Sequence, residues 1–488
     1  MLRLLLGRAG AGKSTAILRR IAASGGARRQ LLIVPEQASH ETERRLCAVA
    51  GNQVSLYAEV LSFTRLGSRV FSQTGGLAAP ALDPGGRLLL MCAALKSVSG
   101  SLTVYARPSR KPAFLTGLLA TLDECKQYQV FPDDLARAGE AVEGREGEKL
   151  RDLGLIFGAY EALSARTAAD PRDRITRLAQ GLKECGYARG MDIYIDGFTD
   201  FTPQQGLVLR ALLRQAESVT VALTSDRLDR DTGASNIFAP ARRTAAYLRR
   251  MAGEEHVPAE AEYLPQRGEG RSAALARLEA NLFADVPAAA ASLAPEIGLF
   301  SALRPRSEVE YAASEVLRLV REEGCRFRDI ALVARGFERY APLVEEIFPR
   351  YGIPVFLDAM TDILQKPVFA VVTGALDVVA RGYSYDDVFR YLKTGLAGVS
   401  RGECDELENY VLKWGIKGNR WTAKADWDMH PRGYGFPMTG PDREWIARVN
   451  EVRRKVVGPL EGLRKNRDRT GREQAMALYR FLESIRLP

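Results

Sequence analysis

The chain has 488 residues, of which 46% are hydrophobic, so its length suggests about three domains with cores of their own. Its 69 lysines and arginines exceed its 60 aspartates and glutamates, and the net charge of +9 suits either a polyanion such as DNA or a surface that is merely rich in arginine. The sequence lacks a run of about 18 apolar residues and a signal-peptide pattern, which argues against membrane and secreted classes. We expect a soluble, cytoplasmic protein without a membrane partner.

The first 82 residues alternate between strand and helix patterns. Apolar runs at 2–6 and 30–34 predict buried strands, and helical spacing of apolar residues predicts helices at 13–24 and 40–50. Residues 52–76 read as a short strand, a loop and a helix that two glycines end. This order is typical of a parallel sheet with crossover helices.

The strand pattern then disappears, and residues 83–186 carry only amphipathic helical patterns. A strand–loop–helix–strand pattern returns at 191–226, so we assign residues 187–290 to the same domain as residues 1–82. The later part of this segment holds two more predicted helices, joined by a connector rich in alanine, proline and glutamate. Residues 83–186 are therefore interpreted as a helical insertion.

A second α/β unit is predicted at 291–366, with strands at 297–303, 329–335 and 353–358 and helices between them. Residues 367–488 again show only helical patterns. We interpret them as the helical insertion of the second domain, which leaves that domain incomplete. The predicted fold class is thus α/β, with two domains that each carry a helical insertion.

The pattern Gly7-x4-Gly12-Lys13-Ser14 follows a predicted strand and opens a predicted helix, as a phosphate-binding loop does. Glycines let backbone N–H groups curl toward a polyphosphate, and the positive end of the helix dipole adds to the attraction. A plain glycine-rich turn before a helix is the alternative. The candidate ATP-binding residues are Gly7, Arg8, Ala9, Gly10, Ala11, Gly12, Lys13, Ser14 and Thr15.

A phosphate-binding loop of this kind needs an acidic partner for Mg²⁺ at the end of a neighbouring strand. Asp196 follows the apolar run 193–195, so Ser14 and Asp196 are the candidate Mg²⁺ ligands. The alternative is that Asp196 only begins a turn with Gly197, which that pair favours.

Two α/β units with helical insertions resemble superfamily 1 DNA helicases of the UvrD/RecB type, which implies two RecA-like motor-type domains. The Mg²⁺-site motif of those helicases reads Asp-Glu-x-Gln-Asp, whereas residues 196–200 read Asp-Gly-Phe-Thr-Asp. The missing glutamate would orient and deprotonate the attacking water, and a positioned general base is worth about 10²–10⁴-fold in rate. The sequence therefore predicts a site that binds ATP and hydrolyses it poorly.

Five motifs in order resemble the AddB family, whose members form the second subunit of the bacterial AddAB helicase–nuclease, over the whole chain. They read GRAGAGKS, VPEQAS, LSFTRL, IDGFTDFTPQQ and LENYVLKWGIKGNRW. The resemblance implies an AddA-like partner in a heterodimer, processing of double-strand DNA ends for homologous recombination and repair, and recognition of a Chi sequence. Full-length members also carry a nuclease domain with an iron–sulfur cluster. Its motifs and cysteine ligands are not recognisable here, so no catalytic residue is assigned.

DNA contacts follow from the same resemblance, because VPEQAS and LSFTRL match helicase segments that lie along single-stranded DNA. Polar side chains there suit phosphates and an aromatic ring suits a base, although helix caps and a core ring explain the same residues. The candidates are Gln37, Ser39, Ser62, Phe63 and Thr64.

Two weaker candidates lie further along the chain. Arg335 either faces a nucleotide or pairs with Glu338, and the basic and aromatic residues of 413–421 suit either DNA or a packed helix end.

Three other functions stay open on the sequence alone. The first is an active superfamily 1 helicase with its own ATPase. The second is a small-molecule kinase, which the second α/β unit and the helical insertions disfavour. The third is a structural scaffold with a relic phosphate-binding loop.

Overall fold

The structure is a computed structural model that describes residues 1–78, 80–106, 112–228, 237–265, 272–283, 294–357 and 366–485. It divides into two compact units, Met1–Leu299 and Phe300–Pro488. The boundary that the sequence predicts between residues 290 and 291 lies outside the described residues. None of the described helices combines the length and the apolar character that a bilayer crossing requires.

The described strands of the first unit form one six-stranded parallel sheet, which confirms the α/β class. They are β1 (Leu2–Gly7), β2 (Gln30–Ile33), β3 (Ala58–Leu61), β4 (Asp192–Ile195), β5 (Ser218–Thr224) and β6 (Ala259–Tyr263). The strand order is β3-β2-β4-β5-β1-β6, so β1 lies between β5 and β6, and β4 lies beside β5. Because all pairs are parallel, the carboxyl ends of β1, β4 and β5 meet at one edge of the sheet.

Helices cover both faces of this sheet. Those described in the first unit are α1 (Lys13–Ala23), α2 (Ser39–Ala50), α3 (Phe63–Thr74), α4 (Pro84–Val98), α5 (Pro112–Tyr128), α6 (Pro132–Ala141), α7 (Gly144–Thr167), α8 (Arg174–Cys185), α9 (Pro203–Gln215), α10 (Ala239–Glu254) and α11 (Ala273–Asn281). On one face α1 and α2 pack over residues such as Leu5 and Leu32. On the other face α3, α8, α9 and α10 bury residues such as Leu4 and Ile193.

The helices of the predicted insertion, residues 83–186, divide between two apolar cores. Helices α4 to α7 share a separate apolar cluster that includes Met91, Leu118 and Phe157. Helix α8, which the predicted insertion 83–186 contains, instead buries Leu178 and Leu182 in the core beside the sheet. Periodicity predicts that a helix has a buried face but does not say which core that face meets.

Strand β6 was not predicted, because its sequence AEAEY lies in the stretch that we interpreted as a connector. Its register with β1 places Ala261 opposite Leu4. Glu260 and Glu262 on this strand pair with Arg3 and Arg20. Charged side chains are typical of edge strands, where they discourage further pairing, and they hide the apolar signal that marks buried strands.

The described part of the second unit is helical. Its helices are α12 (Pro305–Glu322), α13 (Ala341–Arg350), α14 (Pro367–Ala380), α15 (Tyr385–Leu392), α16 (Arg401–Trp414), α17 (Gly440–Lys465) and α18 (Gly471–Ser484). Helices α12 and α13 pack through Val309, Val344 and Phe348. Helices α14 to α18 enclose a second cluster around Tyr391 and Trp421.

The strands predicted in the second unit are wrong for the described residues. Residues 297–303, 329–335 and 353–357 carry no strand pairing in the structure, and residue 358 lies outside its description. Leu299, Val333 and Phe356 in these segments are exposed. An apolar run marks a segment that suits a sheet, whereas the ladder hydrogen bonds depend on neighbouring strands. The α/β architecture is thus observed for the first unit, and the two RecA-like domains stay a prediction.

Candidate nucleotide site

The loop between β1 and α1, residues 7–12, forms a tight turn that requires its glycines. Gly10 and Gly12 have φ of 77° and 84°, a left-handed conformation that other L-residues rarely adopt. A Cβ atom at Gly7 would lie 2.8 Å from the Cβ of Ala11. Lys13, Ser14 and Thr15 then form the first turn of α1. The structure therefore brings the nine predicted ATP-binding residues together in one strand–loop–helix turn.

Lys13 lies across this loop. Its Nζ donates hydrogen bonds to the carbonyl oxygens of Gly7, at 2.8 Å, and Arg8, at 3.0 Å. Burial lowers the pKa of Lys13, while the negative charges of Asp196 and then Glu279 oppose that shift. The ammonium group is held by neutral carbonyls that phosphate oxygens, as stronger charge-assisted acceptors, can replace.

A cavity of about 750 Å³ opens beside the loop, within the size range of about 300–1,000 Å³ that is usual for small-molecule sites. Residues 10–16 line one part of it, and Arg19, Arg45 and Glu262 line another. Glu262 is paired with Arg20, so the lining carries an excess of positive charge. Such a cavity suits an anionic ligand.

Asp196 follows β4 directly, and its backbone N–H donates to the carbonyl of Ile33 on β2 at 3.0 Å. The carboxyl ends of β4 and β1 lie at the same edge of the parallel sheet, and the negative charge of Asp196 opposes the lowering of the Lys13 pKa by burial. Among the described residues no group of three histidine, cysteine, aspartate or glutamate side chains converges on a metal position. Mg²⁺ is usually held by one or two carboxylates together with phosphate oxygens and waters, so a single aspartate and the Ser14 hydroxyl fit that ion.

Gly197, the residue after Asp196, also has a left-handed φ of 84°. A Cβ atom built there would lie 3.0 Å from Cδ of Pro35. The next residue, Phe198, packs edge-on against Phe63 with ring centres 5.6 Å apart. The backbone at this position therefore suits glycine, and the Cβ atom of any other residue would press against Pro35.

Two further carboxylates near the loop are not among the residues that the sequence predicts. Asp226 lies just after β5, lines a cavity with Gly7 and Arg8, and pairs with Arg242 at 2.6 Å. Glu279 on α11 pairs with Arg8 at 2.9 Å. The position of Asp226 at the end of a strand is a signal that could have been used. No local signal marks Glu279, because it lies 271 residues from its partner.

The candidate DNA contacts divide by exposure. Ser39, Ser62 and Phe63 are buried, at 7%, 2% and 6% exposure. The Ser62 side chain caps α3 by accepting a hydrogen bond from the Arg65 backbone N–H, so it already has a structural role. Phe63 is a core residue whose ring packs edge-on against Phe198.

Two other candidates for DNA contact, Gln37 and Thr64, are exposed. The Ser39 hydroxyl donates to the carbonyl of Glu36 at 3.0 Å, which ties it to its own turn. Of the five candidates, Gln37 and Thr64 are therefore the two whose side chains DNA could reach without a rearrangement of the protein.

The two weaker candidates lie in the second unit. Arg335 is exposed. Within 413–421, Trp421 is fully buried, and the Lys413 side chain donates to the carbonyl of Pro431 at 2.7 Å. Arg420 likewise donates to the carbonyl of Trp414. These contacts favour a packed helix end over a nucleic-acid surface for this segment.

A comparison with known families decides what kind of protein carries this site. The family model described as ADDB, N-terminal, matches residues 4–279, more than half of the chain. The chain belongs to the AddB family. The match includes the 7–12 loop and Asp196, and it extends to Glu279, so the whole neighbourhood of the loop lies within the AddB match.

Curated AddB relatives align with the entire chain. The AddB protein of Desulforudis audaxviator, named as a subunit of an ATP-dependent helicase/deoxyribonuclease, is 36% identical over 518 residues, which is 100% of this chain and 44% of that protein. The proteins of the same name from Acetivibrio thermocellus and Clostridium tetani are 34% and 32% identical, again over 100% of this chain and 44% of each protein. The chain thus spans less than half the length of these AddB relatives.

Proposed function

We propose that this chain is an ATP- and DNA-binding AddB subunit, and that it holds Mg²⁺·ATP without efficient hydrolysis. The proposal depends on a combination of two features. The 7–12 loop and Lys13 are intact, and Gly197, whose φ is left-handed and whose Cβ position lies against Pro35, replaces the glutamate of the helicase motif. Lys13 would bind the β- and γ-phosphates, and Ser14 and Asp196 would hold the metal. Mg²⁺, when bound, would neutralise phosphate charge.

The other carboxylates near the loop do not replace the missing base in this proposal. Glu279 accepts a charge-assisted hydrogen bond from Arg8, and Asp226 accepts one from Arg242. One oxygen of each carboxylate is thus held by a strong, charge-assisted bond to its arginine. A general base must lie within hydrogen-bond reach of the proton that it removes.

The wider function is proposed from the family. The relatives are named as subunits of an ATP-dependent helicase/deoxyribonuclease. We propose that this chain acts beside an AddA-like partner that supplies the working motor, on double-strand DNA ends that are processed for homologous recombination and repair. Chi recognition, the nuclease and its iron–sulfur cluster are properties that we propose for full-length members of the family, and no residue of this chain is assigned to them.

The test measures binding and turnover on the same sample. We expect the chain to bind a fluorescent ATP analogue with Mg²⁺, and Lys13→Met to weaken that binding about 100-fold through the loss of charge-assisted hydrogen bonds. Lys183→Met removes an exposed lysine from α8 and should leave binding unchanged. With single-stranded DNA present, phosphate release should stay far below the turnover of about 1–10³ s⁻¹ usual for enzymes.

Two results would replace this proposal. Phosphate release at the rate of a working helicase, lost in Lys13→Met, would identify an active motor. Absence of binding to the analogue would identify a scaffold with a relic loop.

A further inference from the structure

Arg8 joins the 7–12 loop to α11. Its Nε donates to the Glu279 carboxylate at 2.9 Å, and its Nη2 donates to the Glu279 backbone carbonyl at 2.7 Å. The guanidinium group also lies 5.2 Å from the ring centre of Phe238, just before α10. One side chain of the loop thus binds both a charge and a backbone carbonyl in the last turn of α11.

Apolar packing contributes little to holding α11 in place. None of its residues is buried. Leu275 and Leu278 are 42% and 40% exposed, and Leu282, just after the helix, is 61% exposed. Polar contacts such as the pair between Arg8 and Glu279 therefore matter more for α11 than for the helices that pack on the sheet.

The backbone of Arg8 also contacts Lys13, the residue that we propose binds the phosphates. The charge of Glu279 acts on Lys13, and the Arg8 carbonyl accepts a hydrogen bond from Lys13. Phosphates bound at Lys13 would attract the Arg8 guanidinium and repel the Glu279 carboxylate. The side chains of the pair are 25% and 18% exposed, so water still reaches the charges and a doubly charged phosphate would compete with the carboxylate for the guanidinium.

We propose that Glu279 competes with nucleotide phosphates for Arg8, so that nucleotide binding loosens α11 from the 7–12 loop. The inference rests on the proposed function, because it requires that the loop binds nucleotide. Helix α11 is the last described helix before the unit boundary at Leu299. Occupancy of the site would thereby change a segment that leads out of the first unit.

The experiment compares wild type with Glu279→Gln in the 488-residue chain, using ATPγS with Mg²⁺ as the ligand. Loss of the competing carboxylate should tighten binding about tenfold, an electrostatic effect that high salt reduces. Hydrogen exchange of the amides of 273–281 should be faster in Glu279→Gln without ligand, and should become faster in wild type when ATPγS binds. Glu260→Gln is the matched control, because Glu260 pairs with Arg3 at 2.6 Å on the β6 edge.

The outcomes separate this inference from the proposed function. If ATPγS binds and the exchange of 273–281 does not change, the site is real and the inference is wrong. If Glu279→Gln weakens binding, Glu279 positions Arg8 for phosphate and does not compete with it, which also overturns the inference. If neither protein binds ATPγS, the proposed function itself fails, and the inference fails with it.

Discussion

Two loops at the same edge of the sheet use the same glycine conformation with opposite consequences. Gly12 after β1 and Gly197 after β4 both have φ of 84°. At Gly12 the turn presents the start of α1 and Lys13 to the cavity, and a Cβ atom would meet nothing within 4 Å. At position 197 a glycine stands where the helicase motif has a glutamate, and a Cβ atom would lie 3.0 Å from Cδ of Pro35. In the proposed function, the first loop would bind the phosphates and the second would lack the general base that hydrolysis requires.

The largest expected effect tests the packing of the loop after β4, in which Phe198 lies against Phe63. Phe63→Ala should lower the free energy of unfolding by about 3–5 kcal/mol, because it empties a buried site against which Phe198 packs. Chemical denaturation measures this, with Phe131→Ala as the control at a ring that is 57% exposed. Unchanged stability together with weaker binding of single-stranded DNA would show instead that Phe63 stacks on a base.

A smaller effect is expected at Gly197, which shares its backbone conformation with Gly12. Gly197→Ala should destabilise the chain by about 2 kcal/mol, since a non-glycine residue is strained at this φ and its Cβ would contact Pro35. Gly190→Ala is the matched control. Gly190 has φ of 69° and open space around it, so the substitution should cost only about 1 kcal/mol. Equal losses of unfolding free energy at the two positions would show that Pro35 moves aside at no cost in stability.

The same position offers a direct test of the missing base. Gly197→Glu restores the residue of the helicase motif, but we expect no rise in phosphate release. The strained backbone and the proline ring prevent the new carboxylate from taking the position that it has in a working motor. A large gain of turnover, measured with single-stranded DNA and Mg²⁺·ATP, would show that residue identity alone silences the site.

The sequence predicts the parts of this site whose signals are local. An apolar run, spaced glycines and a helical pattern fall within the first 24 residues, and Asp196 follows its own apolar run. The pairs of Arg8 with Glu279 and of Arg242 with Asp226 depend on how distant elements pack, so no short pattern reveals them. In the same way, residues 329–335 look like a strand locally, yet pairing with a neighbour decides whether a ladder forms.

A further variant tests whether the second loop still contributes a metal ligand. Asp196→Asn should weaken Mg²⁺-dependent nucleotide binding about tenfold, because an amide oxygen replaces a charged one. In EDTA the same variant should bind the nucleotide as well as wild type or better, since a negative charge near the phosphates is gone. Asp200→Asn, at an exposed site in the same loop, should change neither measurement. If Asp196→Asn tightens binding equally with and without Mg²⁺, Asp196 acts on Lys13 and the phosphates only as a charge. Asp196 would then not be a ligand of the Mg²⁺ ion, although its loop lies at the same edge of the sheet as Ser14.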